Sequence, residues 1–225
     1  MSRAVIFDMD GVLVDTARPH YESWLAVARE RGVALTYEQF HETFGQPNHQ
    51  IIPRLFGPGL SDEEVRRIDE QKEAAFRDIF RHEVEPLPGV VELIGALQRA
   101  GWLLAVGSSA PPENIELVLE ALGVAESFSA VVCAKDVQRG KPAPDVFLKA
   151  AEALGVQPAR CLVIEDAPAG IQAAHAAGMA CLALTSSHPA GSLKHADRIV
   201  ASLEEFTPAD AAAMLDRHSK ARPRR

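Results

Sequence analysis

From Gly89 onward the chain alternates short apolar runs with stretches in which apolar residues recur every three to four positions. WLLAVG is followed by a helical pattern near 113–122, AVVCA by one near 145–154, and CLVIED by one over about 169–177 that stops at Gly178, before a further run, ACLALT. Strands alternating with helices of this length predict βαβ units and a parallel sheet with right-handed crossovers. The N-terminus adds a strand, because Ala4, Val5, Ile6 and Phe7 form an apolar run that ends abruptly in Asp8-Met9-Asp10-Gly11.

Residues 16–85 break this rhythm and read as helices only. Tyr21, Trp24, Leu25 and Ala28 recur at helical spacing, and Thr36 with Gln39 and Ser61 with Glu64 each make a capping-box pattern. Pro86, Pro88 and Gly89 mark the return to the alternating pattern. The expectation is an α/β core formed by 1–15 and 86–225, with an all-helical insert between its first strand and the rest. One position in the insert is out of place. Val65, Ile68, Ala75, Phe76 and Ile79 form one apolar stripe, and Lys72 lies on it. A charge there either faces a wet crevice or snorkels at the helix rim.

The chain has 225 residues, of which 47% are hydrophobic and 24% charged, enough for one large domain and a smaller one. Its net charge of -8 argues against nucleic acid or an anionic membrane as the main partner. The basic stretch 220–225 reads as a solvated tail. No run of eighteen apolar residues occurs and the start goes straight into a strand, so a cytoplasmic protein is expected. Cys133, Cys161 and Cys181 are widely spaced in apolar runs, which fits buried reduced thiols. With no leftover apolar helix or coiled-coil seam, a monomer is expected.

In an open parallel sheet, ligands bind beyond the carboxyl ends of the strands. Asp8 and Asp10 stand at one such end, Ser108 and Ser109 at the next, Lys141 after AVVCA and its loop, and Glu165 and Asp166 after CLVI. Singly, each has a plain explanation: a turn or a fragment of a calcium loop, a helix cap, a surface charge, another turn. Together they suit phosphoryl transfer to a carboxylate. Asp8 can attack phosphorus, splitting one slow displacement into two easier steps, and Asp10 can protonate the leaving alcohol and then activate water. Asp8, Asp166 and a backbone carbonyl near Asp10, with Glu165 beside them, offer the oxygen ligands that Mg2+ prefers. Lys141 can neutralise phosphate oxygens, and Ser108 with neighbouring backbone N–H groups at a helix start can hold the others.

These four motifs, FDMDG at Asp8 and Asp10, Ser108, GKPAPDVF at Lys141 and VIEDAPAGI at Glu165 and Asp166, resemble those of the haloacid dehalogenase superfamily, in the same order and over essentially the whole chain. The resemblance implies a Rossmann-like core, a small helical cap inserted after the first strand, magnesium dependence and an aspartyl-phosphate intermediate. Within the superfamily the chain is most similar to the β-phosphoglucomutase group and its phosphatase relatives, given DGVLVDT, His20, KPAPDVF and EDAPAGIQAA. That similarity implies that His20 approaches Asp10 and that Lys72 contacts substrate. The cap segment departs from the mutase: it reads Phe44-Gly45-Gln46-Pro47-Asn48, so Asn48 stands where an arginine would hold a second phosphate. Gly45, Gln46 and Asn48 therefore join His20 and Lys72 as expected substrate-side residues. The function expected is magnesium-dependent hydrolysis of a small phosphorylated metabolite, a sugar phosphate first, with a phosphosugar mutase as the alternative. Dehalogenase and phosphonate-cleaving relatives usually lack an acid at the place of Asp10, and a non-catalytic scaffold would be favoured by loss of Asp8, Asp10, Lys141 or Asp166.

Overall fold

The structure is a computed structural model that describes residues 2–43, 46–82 and 84–221. They divide into two compact units, 1–15 with 85–225, and 16–84. The first is built on a parallel six-stranded sheet of β1 (Ala4–Phe7), β2 (Leu103–Gly107), β3 (Ala130–Val132), β4 (Cys161–Glu165), β5 (Ala180–Leu184) and β6 (Arg198–Val200), in the order β3-β2-β1-β4-β5-β6. The strand order reverses at β1, which pairs with β2 through Phe7 opposite Val106 and with β4 through Phe7 opposite Ile164. That is the switch point at which a doubly wound sheet opens a crevice.

The connecting helices are α5 (Val90–Arg99), α6 (Pro112–Ala121), α7 (Asp145–Ala153), α8 (Pro168–Ala176) and α9 (Pro208–Ala221). β1, β4 and β5 are buried along their whole length, as strands covered on both faces must be. On one face Ile6, Ala105 and Val163 pack with Phe147 of α7 and Ile171 and Ala174 of α8 in a continuous apolar core. The expected strand at AVVCA is shorter than its apolar run, because the carboxylate of Asp136 accepts from the Cys133 N–H and turns the chain out of the sheet. β6, α5 and α9 were not anticipated. All three cysteines are buried and unpaired by disulfide.

The second unit is helical among its described residues: α1 (Ala17–Glu30), α2 (Tyr37–His41), α3 (Asn48–Phe56) and α4 (Asp62–Phe80). Both capping boxes are formed, Thr36 with Gln39 at α2 and Ser61 with Glu64 at α4, which is why those helices start where they do. Trp24, Val27, Phe40, Ile52 and Ile68 make its apolar core. Lys72 corrects an expectation, since it is only 1% exposed and so neither faces a wet crevice nor snorkels. Its ammonium is instead paired inside the protein with the carboxylate of Glu73, which removes the need to reach water. No helix among the described residues is long and apolar enough to cross a membrane.

Candidate active site

The carboxyl ends of β1 and β4 carry the acids. The N–H of Asp8 donates to the Ile164 carbonyl at 3.0 Å, so the β1–β4 ladder holds the backbone of Asp8 directly beside the start of Glu165-Asp166. Oxygens of Asp8, Glu165 and Asp166 lie within 4.8 Å of one another, and all three residues are buried. Lys141, after β3 and before a cis peptide to Pro142, inserts its ammonium among them, 2.9 Å from Asp8 Oδ1 and 2.7 Å from Glu165 Oε1. It also sits 5.0 Å from the centre of the Phe147 ring.

Glu165 is fully engaged: Oε1 accepts from Lys141, and Oε2 accepts from the N–H groups of Asp166 and Ala167, both at 2.9 Å. Its carboxylate occupies the space where a Cβ on Gly170 would be, so the glycine of EDAPAG is what lets α8 pass this close. Asp8 Oδ1 is different. It is a buried oxygen at ion-pair distance from Lys141 but with no well-aligned hydrogen bond.

The charges are unbalanced, with three carboxylates around one ammonium. Burial is the largest influence on Asp8 and pushes its carboxyl up to about 7; Lys141 opposes this, and the charges of Glu165 and Asp10 add to it. Burial, then the charges of Glu165 and Asp8, push Asp166 well above the usual carboxylate range. For Lys141 burial acts downward, but the charges of Asp8 and Glu165 outweigh it and hold the ammonium above its ordinary value. An all-oxygen cluster of three buried carboxylates around a single ammonium fits a hard divalent cation such as Mg2+.

Ser108 lies just past β2 and is buried; its Oγ accepts from the Ala110 N–H at 3.1 Å. α6 begins only at Pro112, so Ser108 stands in the loop before the helix and not at its start, a correction caused by this local turn and by Pro111 and Pro112. Ser109 is exposed and Asp10 half-buried. In the helical unit, His20 stacks on Phe76 with ring centres 4.2 Å apart, and its Nδ1 is 2.8 Å from Lys72 Nζ. The Asn48 amide donates to Asp69 Oδ1 at 2.6 Å and Glu73 Oε1 at 2.7 Å, and that Glu73 oxygen also accepts from Lys72 at 2.7 Å. Gln46 donates back to the Glu42 carbonyl at 3.1 Å, while Gly45 lies outside the described residues.

Four residues of these polar networks were missed by reasoning from sequence. Asp69 and Glu73 carry no local sequence signal that sets them apart from acids on a helix surface. Ser186 and Ser187 follow β5 exactly as the other polar groups follow their strands, and the same strand-end argument applied to ACLALTSS would have found them. The Ser186 hydroxyl donates to the Gly11 carbonyl, and the Ser187 hydroxyl is hydrogen-bonded to the Asp166 carboxylate.

Comparison with known proteins agrees with this arrangement. A fructose-1-phosphate phosphatase of Escherichia coli is 37% identical over 175 residues, covering 78% of this chain and 92% of that protein. A β-phosphoglucomutase of Bacillus subtilis is 30% identical over 212 residues, covering 91% and 92%. Among solved structures, a β-phosphoglucomutase from Clostridium difficile superposes with a TM-score of 0.87 at 27% identity, covering 98% of this chain and all of the other. The family model for haloacid dehalogenase-like hydrolases matches residues 2–178. The chain belongs to the haloacid dehalogenase-like hydrolases.

Proposed function

We propose that this hydrolase is a magnesium-dependent phosphatase acting on a small sugar phosphate through a phosphorylated Asp8. The observation that carries the reading is the ion pair of Asp8 with Lys141 at the carboxyl end of the central strand, beside Asp166. A carboxylate oxygen of Asp8 forms a bond to phosphorus while the bond to the sugar oxygen breaks, and Asp10 supplies the proton that leaves with the alcohol. Asp10 then takes a proton from water as its oxygen attacks phosphorus, releasing phosphate and restoring Asp8. Lys141, held by Glu165, offsets phosphate charge, and Ser108, Ser109 and nearby N–H groups hold the remaining oxygens. Asp8, Asp166 and the Asp10 backbone carbonyl would hold Mg2+, with Glu165 engaged chiefly by Lys141. Bound there, the ion offsets the repulsion between an anionic nucleophile and an anionic substrate.

The helical unit is proposed as the cap that selects the substrate, through His20, Gln46 and Asn48, with the buried Lys72 acting only by holding His20 and Glu73. A phosphosugar mutase is the second reading, favoured by the β-phosphoglucomutase relative. Against it, Asn48 offers an amide already donating to two carboxylates where a bisphosphate would need a cation. The test is phosphate release from a panel of sugar phosphates with and without Mg2+, with Asp8→Asn as control. Release that needs both Mg2+ and Asp8 is expected. Isomerisation of a hexose phosphate with a bisphosphate primer, without release, would replace the phosphatase by the mutase.

A further inference from the structure

The chain leaves β5 next to Asp166, because Ile164 pairs with Leu182 and Glu165 with Ala183 in the β4–β5 ladder. The residues that follow, Thr185-Ser186-Ser187, therefore run past the acidic cluster. On the other side of β4, the loop after β1 makes a tight turn in which the N–H of Leu13 donates to Met9 O at 2.8 Å and that of Gly11 to Val14 O at 2.9 Å. Gly11 has φ +70, and a Cβ there would collide with both the Asp166 carboxylate and the Ser187 hydroxyl. The bare Cα of Gly11 is thus the floor on which Asp166 and Ser187 meet. Ser186 ties the same turn to the β5 loop through the Gly11 carbonyl.

We propose that Ser186 and Ser187 are positioning residues for the metal site, Ser187 by fixing the Asp166 carboxylate and Ser186 by fixing the turn that carries Asp10. The inference rests on the magnesium reading above. Asp166 is crowded by Asp8 and Glu165, and without the Ser187 hydroxyl it would be free to rotate away from them. The hydroxyl donor, seated over the bare Cα of Gly11, fixes which carboxylate oxygen remains for a cation. The peptide after Gly11, anchored by Ser186, is the next one along from the Asp10 carbonyl, so its orientation constrains that ligand. Partners that orient metal ligands are worth about ten- to a hundredfold in metal affinity.

The test is calorimetric titration of Mg2+ into the metal-free wild-type protein and the Ser187→Ala, Ser187→Thr and Ser186→Ala variants, with thermal melting of each metal-free protein. Ser187→Ala should weaken Mg2+ binding about tenfold at a comparable melting temperature, Ser187→Thr should restore it, and Ser186→Ala should weaken it less. Unchanged affinity in both alanine variants overturns the inference while leaving the magnesium reading intact. So does a Ser187→Ala protein that loses stability and is not rescued by threonine, since the serine is then merely structural. A wild-type protein that binds no Mg2+ overturns both.

Discussion

Lys141 in the sheet unit and Lys72 in the helical unit are near copies in their immediate packing. Each side chain is buried, each has its ammonium 2.7 Å from a glutamate, and each lies about 5 Å above a phenylalanine ring, Phe147 at 5.0 Å and Phe76 at 5.2 Å. They differ in what else surrounds the pair. Lys141 also meets Asp8 and has Asp166 close by, so negative charge is in surplus. Lys72 meets an imidazole instead, and the Glu73 oxygen that pairs with it also accepts from the Asn48 amide, which donates to Asp69 as well. The same ion pair therefore closes one polar network and leaves the other short of a cation. A closed network specifies structure, whereas an unclosed one at a strand switch point has capacity left for a metal and an anionic substrate.

The largest expected effects separate the two lysines. Lys141→Met should lower kcat about 10²–10³-fold in steady-state phosphate release, the cost of removing a fixed charge from the developing phosphoryl charge. Lys72→Met should instead remove the ammonium paired with the buried Glu73 carboxylate and cost about 3 kcal/mol in denaturant unfolding. Any kinetic change there should fall on KM rather than kcat. Equal losses of kcat in the two variants would break the contrast.

A smaller effect comes from moving Glu165 without changing it. Gly→Ala inside a helix ordinarily stabilises by about 1 kcal/mol, and Gly95→Ala in α5 should follow that rule, because its Cβ would meet only the flexible end of Arg99. Gly170→Ala should reverse the sign. Its Cβ needs the space of the Glu165 carboxylate, so Lys141 loses its anchor and kcat falls about tenfold, with a lower melting temperature. If both variants are stabilised and fully active, Glu165 is not what fixes Lys141.

The two networks were unequally legible in the sequence, for a physical reason. In the sheet unit each candidate residue follows a strand, Asp8 and Asp166 directly and Lys141 after a loop, and parallel strands bring their ends to one edge, so the three could be grouped without coordinates. In the helical unit local signals were readable, as both capping boxes and the odd position of Lys72 show. Its partners were not. Asn48 reaches Asp69 and Glu73 across 21 and 25 residues, a pairing set by how α3 packs on α4 and by nothing local. β6 was missed because three residues are too few for a periodic signal, and AVVCA was over-read because the cap from Asp136 competes with strand pairing.

The smallest expected effect tests the charge surplus itself. An unfolded Asp8 releases its proton near the ordinary value of 3.8, whereas the folded one holds it up to about 7, and Asp166 shifts in the same direction. Between those values the folded state binds more protons than the unfolded state, so these groups make the metal-free protein less stable as pH rises through that window. On the proposed reading Mg2+ is held by the ionised acids and offsets the loss, so its stabilising effect must grow with pH. Saturating Mg2+ should raise the melting temperature by about 5–10 °C at pH 8 and by under about 2 °C at pH 5.5. Asp166→Asn removes one of the crowded charges and should flatten both the metal-free pH dependence and the Mg2+ gain. A gain of equal size at both pH values in the wild type would mean that the acids are ionised without the metal, and the sheet-unit network would then be as closed as the one around Lys72.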